Sequence, residues 1–333
     1  MDPRLAPDLD AGYRQIREEC GLLESEVFIV SLSGPDAAEF LQGQVTNDVE
    51  AIEPGEGLYA LLLDRKGHIQ AEMEVLRTAP EIFLLLTAPA TGPDLEGHLR
   101  TYSIGHDVEV SSRTEPAIAL LGPACHEITG TAPLGEHHSR TISIAGRRML
   151  AVDSDLGLTL LADDSGDSIA VSDRGNEPLV EELLSAGAEK VGPEAVEIIR
   201  VERGVPLFGR EMDAENMPAE AGIVERAVSF EKGCYIGQEP VARLHYKGHP
   251  NRHLRGLKLE RAVEPGSPIR TEEREVGRIG SAVVSPALGP IGLAILRREA
   301  GPGDQVLVGE GESAASARVV ELPFPEGFGG DEP

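Results

Sequence analysis

The chain has 333 residues, 41% of them hydrophobic, with 30 Lys and Arg against 57 Asp and Glu, for a formal net charge of -27. That length is enough for two or three domains with real cores. No apolar run approaches the roughly 20 residues that span a bilayer, and Met1 to Asp10 is acidic and proline-bearing rather than basic and then apolar, so a cytoplasmic, non-membrane protein is expected. So acidic a surface repels phosphate backbones and argues against direct nucleic-acid binding. It fits salt adaptation and an ordinary acidic protein equally well.

In chain order, Leu9 to Cys20 reads as an amphipathic helix and Val27 to Leu32 as a short strand. Ser33-Gly34-Pro35-Asp36 opens a helix reaching Gln42, with proline in the first turn where its missing N–H costs nothing. Gly57 to Asp64 and His68 to Leu76 are strand-like, joined by a hairpin turn at Asp64-Arg65-Lys66-Gly67. Ile82 to Thr87 is a strand, Pro93 to Tyr102 a helix, and Asp107 to Val110 begins another strand. Ala117 to Leu121, Thr141 to Ile144, Arg148 to Val152 and Thr159 to Ala162 follow as strands, then Glu177 to Ala186 and Pro193 to Gly204 as helices. This order suggests α+β layers rather than a doubly wound parallel sheet. From Leu254 onward, short apolar runs alternate with turns: Leu254 to Leu259, Val276 to Ser285, Ile291 to Leu296, Gln305 to Val308 and Ala317 to Leu322. That is the pattern of a small antiparallel barrel. Glu326 to Pro333 reads as a frayed tail. The expected division is 1–115, 116–245 and 246–333.

Cys20, Cys125 and Cys234 are the only cysteines, far apart and without a CxxC pair, so neither a disulfide framework nor a zinc site is expected. Lys232, Lys247 and Lys258 share one stretch with Arg243, Arg252, Arg255, His245, His249 and His253. A basic segment in so acidic a chain points to an anionic ligand; internal ion pairs are the alternative. The three histidines are spaced by four, but Gly248 and Pro250 interrupt any helix that would align them for a metal. Cys234 lies two residues from Lys232, and a nearby cation favours the reactive thiolate. A small buried apolar residue is the other reading of that cysteine, and it is the reading for Cys20 and Cys125.

Lys232-Gly233-Cys234-Tyr235-Ile236-Gly237-Gln238-Glu239, followed by Val241-Ala242-Arg243, resembles the K-G-C-Y-x-G-Q-E signature of the YgfZ branch of the aminomethyltransferase-like GcvT superfamily. Arg200-Val201-Glu202-Arg203-Gly204-Val205-Pro206, with Gly209-Arg210-Glu211-Met212-Asp213, is similar to the R-x-E-x-G-x-P and G-x-E-x-D stretch common to both branches. Gly34-Pro35-Asp36, Thr46-Asn47-Asp48 and Gly67-His68-Ile69 resemble the family's start, and Ser281, Ser285-Pro286 and Leu322-Pro323-Phe324 its closing barrel.

The resemblance covers nearly the whole chain. It implies an α+β fold of three domains in a ring around a central folate site, the last a β-barrel. Tetrahydrofolate, or a one-carbon-substituted form, is the implied ligand. Glu202 matches the glutamate that recognises the pterin, with Lys232, Tyr235, Gln238 and Arg243 as further implied folate contacts. Glu72 matches the aspartate near the acceptor nitrogen, one methylene longer; in a strand it could equally face solvent. The main functional expectation is a YgfZ-type protein assisting iron–sulfur enzymes or their assembly factors, with Cys234 as its thiol. The alternative is the aminomethyltransferase of glycine cleavage, with a lipoyl carrier protein as partner. A non-enzymatic folate-binding helper of tRNA modification is the third.

Overall fold

The structure, a computed structural model, describes residues 9–154, 156–163, 176–311 and 314–324. The acidic start before Leu9 and the tail read over Glu326 to Pro333 lie outside the described residues. The chain divides into two compact units: Met1–Leu62, Ala71–Ala195 and Ala227–Ile236 form the first, and Leu63–Gln70, Val196–Arg226 and Gly237–Pro333 the second. Among the described residues no helix is long and apolar enough to cross a membrane.

The first unit runs α1 (Leu9–Glu18), β1 (Gly21–Ser33), α2 (Ala37–Gln44), β2 (Gly57–Leu63), β3 (Ile69–Ala79), β4 (Ile82–Thr87), α3 (Gly92–Tyr102), β5 (Glu109–Leu121), α4 (Cys125–Thr129), β6 (Ser139–Ile144), β7 (Arg147–Ser154), β8 (Gly157–Ala162), α5 (Glu177–Ser185) and β9 (Glu189–Lys190). Its sheet has nine strands in the order β2-β3-β4-β1-β5-β8-β7-β6, with β9 parallel to the start of β1. β1 and β5 are each 13 residues long and pair antiparallel over their whole length, Gly21 opposite Leu121 and Ser33 opposite Glu109.

Strand alternation assigns the faces. Phe28, Val30 and Leu32 join Met73, Val75, Phe83 and Leu85 in a core covered by α2 and α3, through Phe40, Leu41, Leu95 and Leu99. Leu22, Ile118, Leu120, Met149, Ala151 and Leu160 meet Leu179 and Leu183 of α5 in a second core. The opposite faces of these strands supply Ile29, Leu76, Leu86, Ala117, Leu150, Val152 and Leu161, one cluster drawn from both halves of the sheet. The layers are therefore helix, sheet, sheet, helix, built from one continuous ladder.

Two readings change here. The separate strands expected near Val110 and Ala117 are one strand, β5, whose polar middle (Ser111 to Pro116) hides its continuity in the sequence. β1 likewise extends back from Val27 to Gly21, past the exposed Glu24, Ser25 and Glu26.

α6 (Pro193–Glu202) leads into the second unit, followed by α7 (Val224–Ala227), α8 (Gln238–Lys247), β10 (Arg252–Leu259), β11 (Pro268–Arg270), β12 (Glu275–Ser285), β13 (Gly289–Arg297), β14 (Gln305–Val308) and β15 (Ala315–Val320). The last six strands close an antiparallel barrel in the order β10-β13-β12-β11-β14-β15, around Leu257, Ile269, Ile279, Leu296, Val308 and Val319. The α+β class with a closing antiparallel barrel, expected from the sequence, is the observed fold. The divisions expected at 115/116 and 245/246 fall inside β5 and α8.

In the second unit, Arg200 is a buried hub, 3% exposed. It donates to both carboxylate oxygens of Glu197 at 2.7 and 2.9 Å, to Glu211 at 3.1 Å, to the Val205 carbonyl at 2.5 Å and to Ser281 Oγ at 2.5 Å. One guanidinium fork thus ties α6 to the 205–211 turn and to β12. The carboxylates and hydrogen bonds outweigh the cost of burial and hold Arg200 above the usual arginine range. Replacing Arg200 with Met leaves the Glu211 side chain, 0% exposed, without its counter-charge. Arg200→Met should lower the unfolding free energy by about 3–5 kcal/mol, seen as a reduced urea midpoint at unchanged slope. A loss below about 1 kcal/mol would mean the network contributes little.

Candidate functional site

In the first unit, the Thr46-Asn47-Asp48 turn and the Lys232-Gly233-Cys234 segment form one polar knot. Thr46, fully buried, donates its hydroxyl to the Ala227 carbonyl at 2.6 Å and accepts from the Leu61 amide at 2.9 Å. Gln42 bridges Asp48 and the Val49 amide. Lys232 closes the knot: its ammonium donates to the carbonyls of Gln42, Val45 and Asn47 at 2.7, 2.8 and 2.7 Å. These carbonyls lie at and just past the C-terminal end of α2, the electronegative end of a helix. The nitrogen also sits 5.2 Å from the centre of the Tyr235 ring.

This revises the reading of Lys232. All three of its N–H donors are engaged by the protein's own backbone, so it anchors the loop rather than reaching for an anion. Burial lowers its pKa to about 8, against the opposing pull of Asp48 and Glu50. Tyr235 is 7% exposed, and burial raises its phenol to about 12. Its hydroxyl makes no hydrogen bond among the described residues.

Cys234 is the exposed cysteine; Cys20 and Cys125 are buried, as the sequence reading expected of them. Burial raises Cys20 to about 12 and Cys125 above the usual thiol range. The residue read as an inert core cysteine in the alternative view of Cys234 is therefore on the surface.

The Asn47 amide carries the knot onward, donating to the Tyr59 carbonyl at 2.9 Å. Tyr59 in turn donates its hydroxyl to Glu72 Oε2 at 2.5 Å. Glu72 is half-buried on β3, on the face opposite Ala71, Met73 and Val75. Glu74, two residues along the same face, meets His137 Nδ1 at 2.7 Å, and the His137 ring stacks on Tyr59 with centroids 6.2 Å apart. His137 is 7% exposed and has a left-handed φ of 61°. Tyr59 and His137 were not picked out by the sequence reading. The period-2 pattern of β3, which puts Glu72 and Glu74 on one side, was the available signal.

In the second unit, Glu202 ends α6 and is 8% exposed. Its Oε1 accepts from Ser285 Oγ at 2.5 Å. Ser285 itself accepts from the amides of Ala287 and Leu288 at 3.0 and 2.9 Å, in the turn after β12. Glu202 is thus a buried, aligned carboxylate. The Arg200 guanidinium, two residues back, is engaged by Glu197 and Glu211.

Gln238 opens α8 half-buried, and Arg243 is exposed on the same helix. The helix starts at Gly237, whose φ of 83° suits glycine. A Cβ there would come within 2.4 Å of the Asp64 carbonyl at the tip of the β2–β3 hairpin. That tip is a side-chain-closed turn, with Asp64 Oδ1 accepting from Lys66 and His68 amides at 2.8 and 2.9 Å. His245 lies on α8, His249 beyond its end and His253 on β10.

The units divide the expected site residues. Glu72, Lys232, Cys234 and Tyr235 belong to the first; Glu202, Gln238 and Arg243 belong to the second.

Residues 5–232 match the family described as the GCVT N-terminal domain, and residues 252–325 match the glycine cleavage T-protein C-terminal barrel domain. An aminomethyltransferase of Rubrobacter xylanophilus is 30% identical over 328 residues, which covers 95% of this chain and 86% of the relative. One of Chlorobium luteolum is 30% identical, covering 94% and 89%. The crystal structure of the glycine cleavage system aminomethyltransferase T from Bartonella henselae superposes with a TM-score of 0.82 over 96% of this chain and 90% of that one. At 21% identity that likeness is one of fold.

Two outcomes follow from this geometry. Alkylation of the native protein should label Cys234 alone, with Cys20 and Cys125 reacting only after denaturation, as read by intact mass and peptide mapping. More than one label on the folded chain would contradict the burial. Lys232, at about 8 when folded, has its charged form disfavoured relative to the unfolded chain, where lysine titrates near 10.4. Its contribution is present above the unfolded value and is lost as pH falls through 8. Between these limits, wild type should gain stability relative to Lys232→Met by up to about 1.4 kcal/mol per pH unit in denaturant titrations. Parallel pH profiles would contradict the depressed value.

Proposed function

Since the chain belongs to the GcvT, or glycine cleavage T-protein, family, we propose that it performs folate-dependent one-carbon transfer of the aminomethyltransferase type. The substrates would be an aminomethyl group on the sulfur of a lipoyl carrier and tetrahydrofolate. The carbon–sulfur bond would break, the folate would take the carbon, and ammonia and the reduced lipoyl thiol would leave. The observation that carries this reading is the full-length likeness to aminomethyltransferases in both the N-terminal and the barrel regions.

The residues suit such a substrate. Glu202 has a buried carboxylate with one oxygen held by Ser285. A carboxylate so held can accept paired hydrogen bonds from an aminopyrimidinone edge. Glu72 would orient the acceptor nitrogen or move its proton, with Tyr59 fixing one of its oxygens. Tyr235 offers a buried hydroxyl with no partner among the described residues.

A second reading is favoured by one specific observation. Cys234 is exposed within the K-G-C-Y-I-G-Q-E string that resembles the YgfZ branch, and Lys232 anchors that string two residues away. On this reading the protein binds folate and supports iron–sulfur enzymes through its thiol.

With an aminomethyl-lipoyl carrier and tetrahydrofolate, the protein should release ammonia and form methylene-tetrahydrofolate, and Cys234→Ala should leave that rate unchanged. Glu202→Gln should weaken tetrahydrofolate binding at least about tenfold by calorimetry. No ammonia from a carrier that another aminomethyltransferase turns over, with loss of iron–sulfur enzyme activity in cells carrying Cys234→Ala, would move the assignment to the second reading.

A further inference from the structure

The second unit contains a cavity of about 850 Å³, framed by the 209–216 turn and by β10, β12 and β13. Arg252 and Arg297 both line it. They are Cα partners across the antiparallel β10–β13 ladder, so their side chains leave the same face as nearest cross-strand neighbours. Like charges placed directly opposite each other destabilise a sheet pair. Neither guanidinium makes an ion pair or a side-chain hydrogen bond among the described residues, although the chain has 57 acidic residues against 30 basic ones.

The neighbouring cations are engaged. Arg210 pairs with Glu197 at 2.9 Å, and Arg278 pairs with Glu275 at 3.3 Å and donates to the Gly266 carbonyl at 3.1 Å. The acids of the rim are also placed elsewhere. Glu211 serves Arg200, Glu275 serves Arg278, and Asp213 accepts from the Glu215 amide at 2.8 Å. Glu215, exposed on the rim, makes no ion pair with either arginine.

We propose that Arg252 and Arg297 form a binding site for a small multivalent oxyanion, a ligand carrying carboxylate or phosphate groups, at the edge of this cavity. Two guanidinium forks side by side can each take a pair of oxygens, and a dianion neutralises both at once. The site stands apart from the aminomethyl-transfer reading: its residues do not include Glu72, Glu202 or Cys234, and it holds or fails whichever reaction the protein performs. The same chemistry is offered by free phosphate and by a short chain of glutamates, and the cavity has room for either.

The test uses the full chain at low ionic strength, titrated calorimetrically with inorganic phosphate and separately with triglutamate. At least one probe should saturate, and Arg252→Gln and Arg297→Gln should each weaken it at least about tenfold. Arg297→Lys, which keeps the charge but loses the fork, should retain weak binding. In anion-free buffer each glutamine variant should melt at or above the wild-type temperature, because the facing repulsion is relieved. That gain is a signature a purely structural arginine would not give. Saturation by phosphate alone would identify a phosphate-bearing ligand, and by triglutamate alone a polycarboxylate. The proposal falls if neither probe saturates on wild type, if binding survives in the double glutamine variant, or if the variants melt lower without anion.

Discussion

Arg200 is the interaction on which the second unit's arrangement depends. A guanidinium 3% exposed is tolerable only where its donors meet acceptors, and here it meets two carboxylates, a serine and a backbone carbonyl. The consequence for Glu202 is direct. It lies two residues further along the helix, and its own partner, Ser285, lies four residues beyond Ser281 on β12. Two bridges from α6 to one strand thus fix both the structural cation and the candidate ligand-binding anion. The R-x-E spacing and the two serines of the barrel are parts of a single joint.

The signature string, whose residues to Ile236 belong to the first unit and from Gly237 to the second, divides its labour in a similar way. Lys232 satisfies three carbonyls around the end of α2, Tyr235 buries its ring beside that ammonium, and Gly237 supplies a left-handed turn under the Asp64 carbonyl. Most of so long a motif therefore serves shape. Cys234 presents its thiol on the surface. A lysine near a thiol in sequence need not be its activator: in this loop the cation's hydrogen-bonding capacity is used up before it reaches the sulfur.

Strands with clean alternation or continuous apolar runs were legible from the sequence, β4 and β14 to the residue. β1 and β5 were legible only in part, because their exposed halves are rich in Glu, Ser, Thr and Arg, which look like loop when the ladder that satisfies them is unseen. α8 was hidden by its start after Gly237 and by Pro240 in its first turn, although proline is at home there. The identities of Glu72 and Glu202 were legible by resemblance, but their partners were not. Tyr59 sits 13 residues from Glu72, and Ser285 sits 83 from Glu202. The carbonyls that hold Lys232 lie 185 to 190 residues away. Contacts over such distances are products of topology, and no local pattern encodes them.

The full-length pairing of β1 with β5 makes the first unit indivisible in a way its sequence texture conceals. Both strands carry partners on both edges: β1 holds β4 and β9 besides β5, and β5 holds β8 besides β1. A fragment cut near residue 115 would sever β5 in mid-ladder and leave β1 with bare amides and carbonyls along the half that had faced Glu115 to Leu121. Such an open edge recruits other chains. Expression of either half alone would favour aggregates, or reassembly with the complementary half, over two independent folded pieces.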